Sequence, residues 1–407
     1  MDKISRIILI VSFVLFGGSF YVTTRKDPDP NVIYAKALSL EAQNDHRAWG
    51  LYEKAANLGH SWAMWRLWAK ALSSPKNPNY GQAYPWLYRA AVKGHALSQA
   101  QLAKMYAQGE GIKKSLSRAA HYYELAAAQD HYLAQKNLAI IYEEGLGLAQ
   151  DPVKALFWRQ KAAAHNEPSS VAKLCALGLN PGEFIEDPFV TLGYCQKAAD
   201  LGEPEAQREL ALLYEKGRIV ASNPILAFHW MTKAAAAGLP KAQEALGVYY
   251  NDGLGTSRDL KTAASWFQKA AAAGEPGAQN NLGVFYSEGL GGLPKDLALA
   301  SQWFLRSALA GNLEGQFNLG IFKANGLGSP QNYEEAALWL KKAAEGGFGK
   351  AQFFMGAYHE AGGLGGIPRD YALAAEWYEK AARQGVPEAQ ERLAAMRRQL
   401  RQAFLEE

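Results

Sequence analysis

The 407-residue sequence predicts an all-α chain, a right-handed α/α superhelix (a solenoid) of about ten stacked helix pairs, preceded by an apolar N-terminal helix. Three observations predict it. A signature of an aromatic, two residues, a base and two alanines recurs along the chain with a nearly constant step. Ten residues before each base stands a residue suited to cap a helix N-terminus. Five residues after each base stands Gly, Asn or Asp, the residues that tolerate the left-handed conformation closing a helix.

Composition agrees with this. The chain is 49% hydrophobic and 20% charged, more apolar than one compact core of this length holds, so the core must be divided. Few stretches alternate with the period of two that strands need. The net charge of +4 is mostly local: Lys3, Arg6, Arg25 and Lys26 against Asp2 leave the remainder near neutral. No strongly basic face for nucleic acid is implied.

From the N-terminus, Ile4 to Val22 is apolar apart from Arg6 and scattered Ser and Gly, with Lys3 and Arg6 ahead. As a helix it would span roughly 28 Å, close to the roughly 30 Å of a bilayer's hydrocarbon core. Residues 1–26 therefore read as an uncleaved membrane anchor or a cleaved signal peptide. Both readings export the remainder of the chain, because the basic N-terminus stays inside. Asp27-Pro28-Asp29-Pro30 is a stiff spacer, and residues 27–44 are a linker with an N-terminal capping helix near Asn31 to Gln43.

Residues 45–386 are the repeats. The base slot holds Lys54, Arg89, Leu125, Lys161, Lys197, Lys233, Lys269, Arg306, Lys342 and Lys380, in steps of 35 to 38 residues. The cap slot holds Asn44, Asn79, Ser115, Asp151, Asp187, Asn223, Asp259, Asp296, Asn332 and Asp370. Pro152, Pro188 and Pro224 follow three of these caps, at the first helical position, where a missing N–H costs nothing. The stop slot holds Gly59, Gly94, Asp130, Asn166, Gly202, Gly238, Gly274, Gly311, Gly347 and Gly385. The other helix of each pair carries Gln99, Gln135, Gln207, Gln243, Gln279, Gln316, Gln352 or Gln390, with Leu or Met three residues on, and ends in a turn such as Gly289-Leu290-Gly291. Neither helix can hide its apolar stripe without neighbouring pairs, so stability comes from stacking. Residues 387–407 turn polar after Met396 and read as the C-terminal cap.

The pattern resembles the Sel-1-like repeat, a relative of the tetratricopeptide repeat, over about residues 45 to 395. The resemblance rests on Ala-Gln-x-x-Leu-Gly-x-x-Tyr-x-x-Gly-x-Gly, as in Ala278 to Gly291, and on Asp-x-x-x-Ala-x-x-Trp-x-x-Lys-Ala-Ala, as in Asp259 to Ala271. It implies a non-enzymatic scaffold or adaptor for protein partners, tethered to or exported across the bacterial inner membrane. It implies no catalytic residues, cofactor, metal or nucleic acid. The alternative is a periplasmic hydrolase-like repeat protein or a regulator of an envelope enzyme. The fifth pair departs from the pattern, with Val171 and Gly178 replacing Gln and Tyr and a turn at Asn180-Pro181-Gly182, so a kink is expected near residues 166 to 187.

By analogy with tetratricopeptide arrays, the Gln-bearing helices should line a concave partner-binding face through Arg208, Leu212, Glu215, Glu244, Val248, Val284, Phe317, Ile321, Phe353 and Ala357. Phe317, Ile321 and Phe353 would favour an apolar or helical ligand; the competing reading is that these ten residues are partly buried packing. His60, His95 and His131 hold one turn slot in successive pairs, either as a metal or pH-sensing row or as solvated turn residues. The Trp and Tyr of the aromatic slot read as core. Cys175 and Cys195 fall on the two helices of one pair and read either as a disulfide or as two buried thiols.

Overall fold

A computed structural model describes residues 28–73, 78–180 and 187–406. The apolar segment Ile4 to Val22 lies outside the described residues, as do residues 181–186 of the 166–187 stretch in which a kink is expected. Among those residues no helix is long and apolar enough to cross a membrane. The chain divides into two compact units, one ending at Val171 and one beginning at Ala172. The first contains α1 (Pro30–Ala42), α2 (Arg47–Asn57), α3 (Ser61–Ala71), α4 (Tyr80–Val92), α5 (Ala96–Gln108), α6 (Leu116–Ala127), α7 (Tyr132–Glu144) and α8 (Pro152–Ala164). The boundary falls inside α9 (Pro168–Leu179). The second unit continues with α10 (Pro188–Asp200), α11 (Pro204–Lys216), α12 (Pro224–Ala236), α13 (Pro240–Asp252), α14 (Leu260–Ala272), α15 (Pro276–Glu288) and α16 (Leu297–Leu309). It ends with α17 (Leu313–Asn325), α18 (Tyr333–Glu345), α19 (Gly349–Ala361), α20 (Tyr371–Arg383) and α21 (Ala389–Glu406). Odd-numbered helices carry the Gln slot and even-numbered ones the aromatic slot.

The even-numbered helices start where their caps dictate. The side chains of Asn79, Ser115, Asp151, Asp187, Asn223, Asp259, Asp296, Asn332 and Asp370 each accept a first-turn backbone N–H. Asn44 does not. It takes a left-handed backbone, φ 56°, and α2 begins at Arg47, whose N–H is accepted by Asp45 at 2.9 Å. The stop slot behaves uniformly: all eight glycines, Asp130 and Asn166 have φ between 60° and 97°.

Small residues make the pairs close-packed. Ala83, Ala119, Ala227, Ala263, Ala300, Ala336 and Ala374 are fully buried on the even-numbered helices, so the partner helix approaches closely at that face. The aromatic slot is core only in part: Trp230 and Trp339 are buried, whereas Trp86, Trp158, Trp266, Trp303 and Trp377 are half-buried. The more consistently buried position is one residue later, held by Leu87, Tyr123, Cys195, Met231, Phe267, Phe304, Leu340 and Tyr378. The rings of the aromatic slot have a further role. Arg89, Lys233, Lys269, Arg306, Lys342 and Lys380 sit 4.0–4.9 Å from the centroid of the Trp three residues before, a cation–π contact across one helical turn. This explains why a base recurs in that slot.

Two contacts join each pair to the one before it. The first is the buried Gln: the Nε2 of Gln99, Gln135, Gln207, Gln243, Gln279, Gln316 and Gln352 donates to the carbonyl of Ala91, Ala127, Ala199, Ala235, Ala271, Ala308 and Ala344, at 3.0–3.4 Å. Each of these carbonyls lies in the last turn of the preceding even-numbered helix and also accepts the N–H of the stop-slot residue at 3.0–3.1 Å, so the Gln amide takes its second lone pair. The second is the last glycine of the Gly-x-Gly turn. A Cβ on Gly147, Gly255, Gly291, Gly328 or Gly365 would lie 2.0–2.4 Å from backbone at Leu116, Pro224, Leu260, Leu297 or Tyr333, at the start of the preceding even-numbered helix.

These glycines separate two physical demands. Gly274 has φ +89° and open space around its Cβ direction, whereas Gly255 has φ +68° and a Cβ position 2.0 Å from the Pro224 carbonyl oxygen. Gly274→Ala should cost about 1–2 kcal/mol from backbone conformation alone. Gly255→Ala should cost clearly more, because the two pairs must move apart as well. Urea denaturation of both variants checks this, and equal losses would remove the close-approach argument.

A candidate partner-binding face

In the second unit, the ten residues expected on the partner-binding face come from α11, α13, α15, α17 and α19, and every one of them is half-buried. Their surroundings explain why. Leu212, Val248, Val284, Phe317, Ile321, Phe353 and Ala357 pack against buried clusters that hold each unit together. Arg208 pairs with Glu209. Glu215 accepts the Tyr249 hydroxyl at 2.6 Å, and burial together with that carboxylate pushes the phenol pKa up. These side chains therefore serve packing between neighbouring pairs and leave only part of their surface to a ligand.

The middle of this face is polar. Glu244 lies against α15 so closely that a Cβ on Gly277 would be 2.0 Å from its Oε1. Asn280 Nδ2 donates to Glu314 Oε2 at 3.4 Å, and Asn318 Nδ2 donates to Asn280 Oδ1 at 2.8 Å. Burial first, then the charges of Glu275 and Glu314, raise the Glu244 carboxyl to about 7, with Lys241 opposing.

Toward α19 the face becomes aromatic. The Phe317 ring lies 5.3 Å from that of Phe348 and 5.6 Å from that of Phe354, and Phe353 lies 5.3 Å from Tyr378. One repeat further on, Val386 and Arg392 stand where Phe348 and Phe354 stood, 38 residues later in each case. The row of rings stops there. Beside it opens a cleft of 700 Å³ lined by Phe348, Phe353, Phe354, Val386 and Pro387, with Lys350 and Glu388 also on its lining. Phe353 is the one residue of the cleft that sequence reasoning singled out. Phe348 carried a legible signal, since it occupies the turn slot that holds His60 in an earlier pair; the opening beyond it depends on the end of the row.

The structure also places the remaining candidates. His60, His95 and His131 are half-buried N-cap residues of α3, α5 and α7 and not solvated turn residues. Cys175 and Cys195 are joined as a disulfide between α9 and α10, with both side chains buried. Among the described residues no group of three or more His, Cys, Asp or Glu is placed to hold a metal ion.

Glu244 supplies a pH test. Its folded-state value lies above the ordinary 4.5, so between about 4.5 and about 7 the folded chain binds more protons than the unfolded one. Stability should therefore fall as pH rises through that interval. Glu244→Gln should flatten this slope and raise the urea midpoint at pH 8; an unchanged slope would mean that Glu244 ionises normally.

The Sel1 repeat family matches residues 34–60, 96–131, 133–167, 204–239, 240–275, 276–312, 313–348 and 349–386. The stretches between matches hold α3 and α4, rich in Trp, and α9 and α10 with their disulfide. No curated protein matches the chain. Among solved structures, a protective antigen present in uropathogenic Escherichia coli strains and displaying an SLR fold is 26% identical, with a TM-score of 0.66 over 93% of each chain. A Sel1 repeat protein from Oxalobacter formigenes is 27% identical, with a TM-score of 0.56 over 86% of this chain and 97% of that one. The fold is thus an all-α, right-handed solenoid of paired helices, and Sel1-repeat solenoids are non-catalytic interaction scaffolds. Matched by the repeat over more than half of its length, the chain belongs to the Sel1 repeat family.

Proposed function

We propose that the chain is an exported scaffold that holds a protein partner against the odd-numbered helices of its second unit, anchored in the cleft beside Phe353. The observation that carries this reading is the end of the aromatic row. Phe317 is covered by the rings of the next pair, but Phe353 meets Val386 and Pro387 across open space. A partner's apolar side chain seated there would continue the row as the next repeat does inside the stack, in the manner of buried anchors at interfaces.

Export is supported by two features. The basic and then apolar N-terminal sequence suits either a single-pass inner-membrane anchor with the repeats in the periplasm or a cleaved signal that leaves them soluble there or secreted. The Cys175–Cys195 bond suits an oxidising compartment. Recovery of the mature protein's N-terminal peptide separates the anchor from the signal.

The cleft is tested by site-specific photocrosslinking of the full chain in its native envelope. A photoreactive residue at position 386 should capture a protein that one at exposed Gln302 does not. Val386→Asp, which buries a carboxylate in the anchor site, should weaken capture by roughly 30-fold with the helical signal unchanged. Equal capture from position 302, or capture undiminished by Val386→Asp, would place the partner elsewhere.

A further inference from the structure

In the first unit, three successive odd-numbered helices begin with a histidine. His60 Nδ1 accepts the Ala63 N–H at 3.2 Å, and His131 Nδ1 accepts the Ala134 N–H at 3.2 Å. His95 Nδ1 lies 2.7 Å from the hydroxyl of Ser98, a fully buried side chain. An imidazole nitrogen accepts only when it carries no proton, so the caps on α3 and α7 require the neutral ring with its hydrogen on Nε2. A protonated ring loses the cap and also places a positive charge at a helix N-terminus, which the helix dipole opposes.

The surroundings of each ring point the same way, with identifiable exceptions. His60 stacks on Tyr34 of α1 at 4.2 Å, and the Lys93 side chain from the end of α4 comes against neighbouring Gly59. His95 meets the edge of Trp62 at 4.5 Å and lies 6.1 Å from Trp65, both on α3, with His60 adding its charge. His131 lies beside Tyr132, and the adjacent Asp130 is engaged by His165 Nε2 and Gln135 Nε2. Burial lowers all three from the ordinary 6.5; Asp29 works against it at His60, and a backbone hydrogen bond does so at His131. In the odd-numbered helices α11 to α19 of the second unit the N-cap position holds Glu203, Leu239, Glu275, Asn312 and Phe348, of which Asn312 alone accepts a first-turn N–H with its side chain.

We propose that His60 and His131 are an acid-sensitive device: protonation uncaps α3 and α7 and loosens the seams of the first unit, while the odd-numbered helices α11 to α19 of the second unit have no histidine at the N-cap. The stabilisation from the caps is complete above the unfolded-state value of 6.5. It is lost as pH falls from there through the lower folded-state values, because the unfolded chain then binds more protons.

Hydrogen exchange of the full chain at pH 7 and pH 5, corrected for intrinsic rates, tests this. The first turns of α3 and α7 should open about fivefold more at pH 5, the equivalent of one lost cap, and those of α13 and α15 should not. The double variant His60→Asn, His131→Asn keeps a capping oxygen that does not titrate, and its α3 and α7 should show no such change. Equal acceleration in that variant, or in α13 and α15, overturns the proposal. Ring-nitrogen NMR of the unaltered protein gives an independent decision: Nδ1 should be the unprotonated nitrogen of His60 and His131 at neutral pH, and a proton on Nδ1 also overturns it.

Discussion

The structure depends on how closely one helix pair can approach the next. A pair of thirteen-residue helices has no core of its own, and what it buries, it buries against a neighbour. The last glycine of each Gly-x-Gly turn admits the preceding helix to a distance that no side chain would permit. The Gln amide then closes the same seam by donating to the second lone pair of a carbonyl that already accepts the N–H of the stop-slot residue. Both contacts are local, repeated, and made by residues with little freedom to be anything else.

This arrangement limits what the odd-numbered helices can offer a partner. Most side chains on the expected face are already engaged with the next pair: Phe317 under Phe348 and Phe354, Glu215 under the Tyr249 hydroxyl, Asn280 between Glu314 and Asn318. Free apolar surface appears where the pattern changes, as it does when Val386 follows Phe348 in the same slot. Function in such a fold lies in the exceptions to its repeat, and the histidine caps of the first unit are another exception of that kind.

Much of this was legible in the residues. The helix starts followed from the cap slot at nine positions, because an Asn, Asp or Ser side chain decides that geometry locally; Asn44 failed because Asp45, one residue on, took over. The stop slot was legible for the same reason. The aromatic slot was legible in part: Trp230 and Trp339 are core, but Trp followed by Leu, Met or Phe gives two adjacent apolar positions, and only three-dimensional packing decides that the second is the more deeply buried while the first lies under a Lys or Arg. The cleft was half legible: Phe353 could be named from its slot, but the opening depends on Val386, Pro387 and the end of the aromatic row. The histidines were visible as a row, yet their capping role required knowing that their nitrogens meet the amides of Ala63 and Ala134.

The central claim is that stability resides in the seams between pairs. Native-state hydrogen exchange of Gly291→Ala tests it most directly, because the new methyl would press on the Leu260 carbonyl at a single seam of the second unit. Protection should fall in α13 to α16, on the two sides of that seam, and persist in α19 and α20. A uniform loss across the second unit, or no loss at all, would contradict the account.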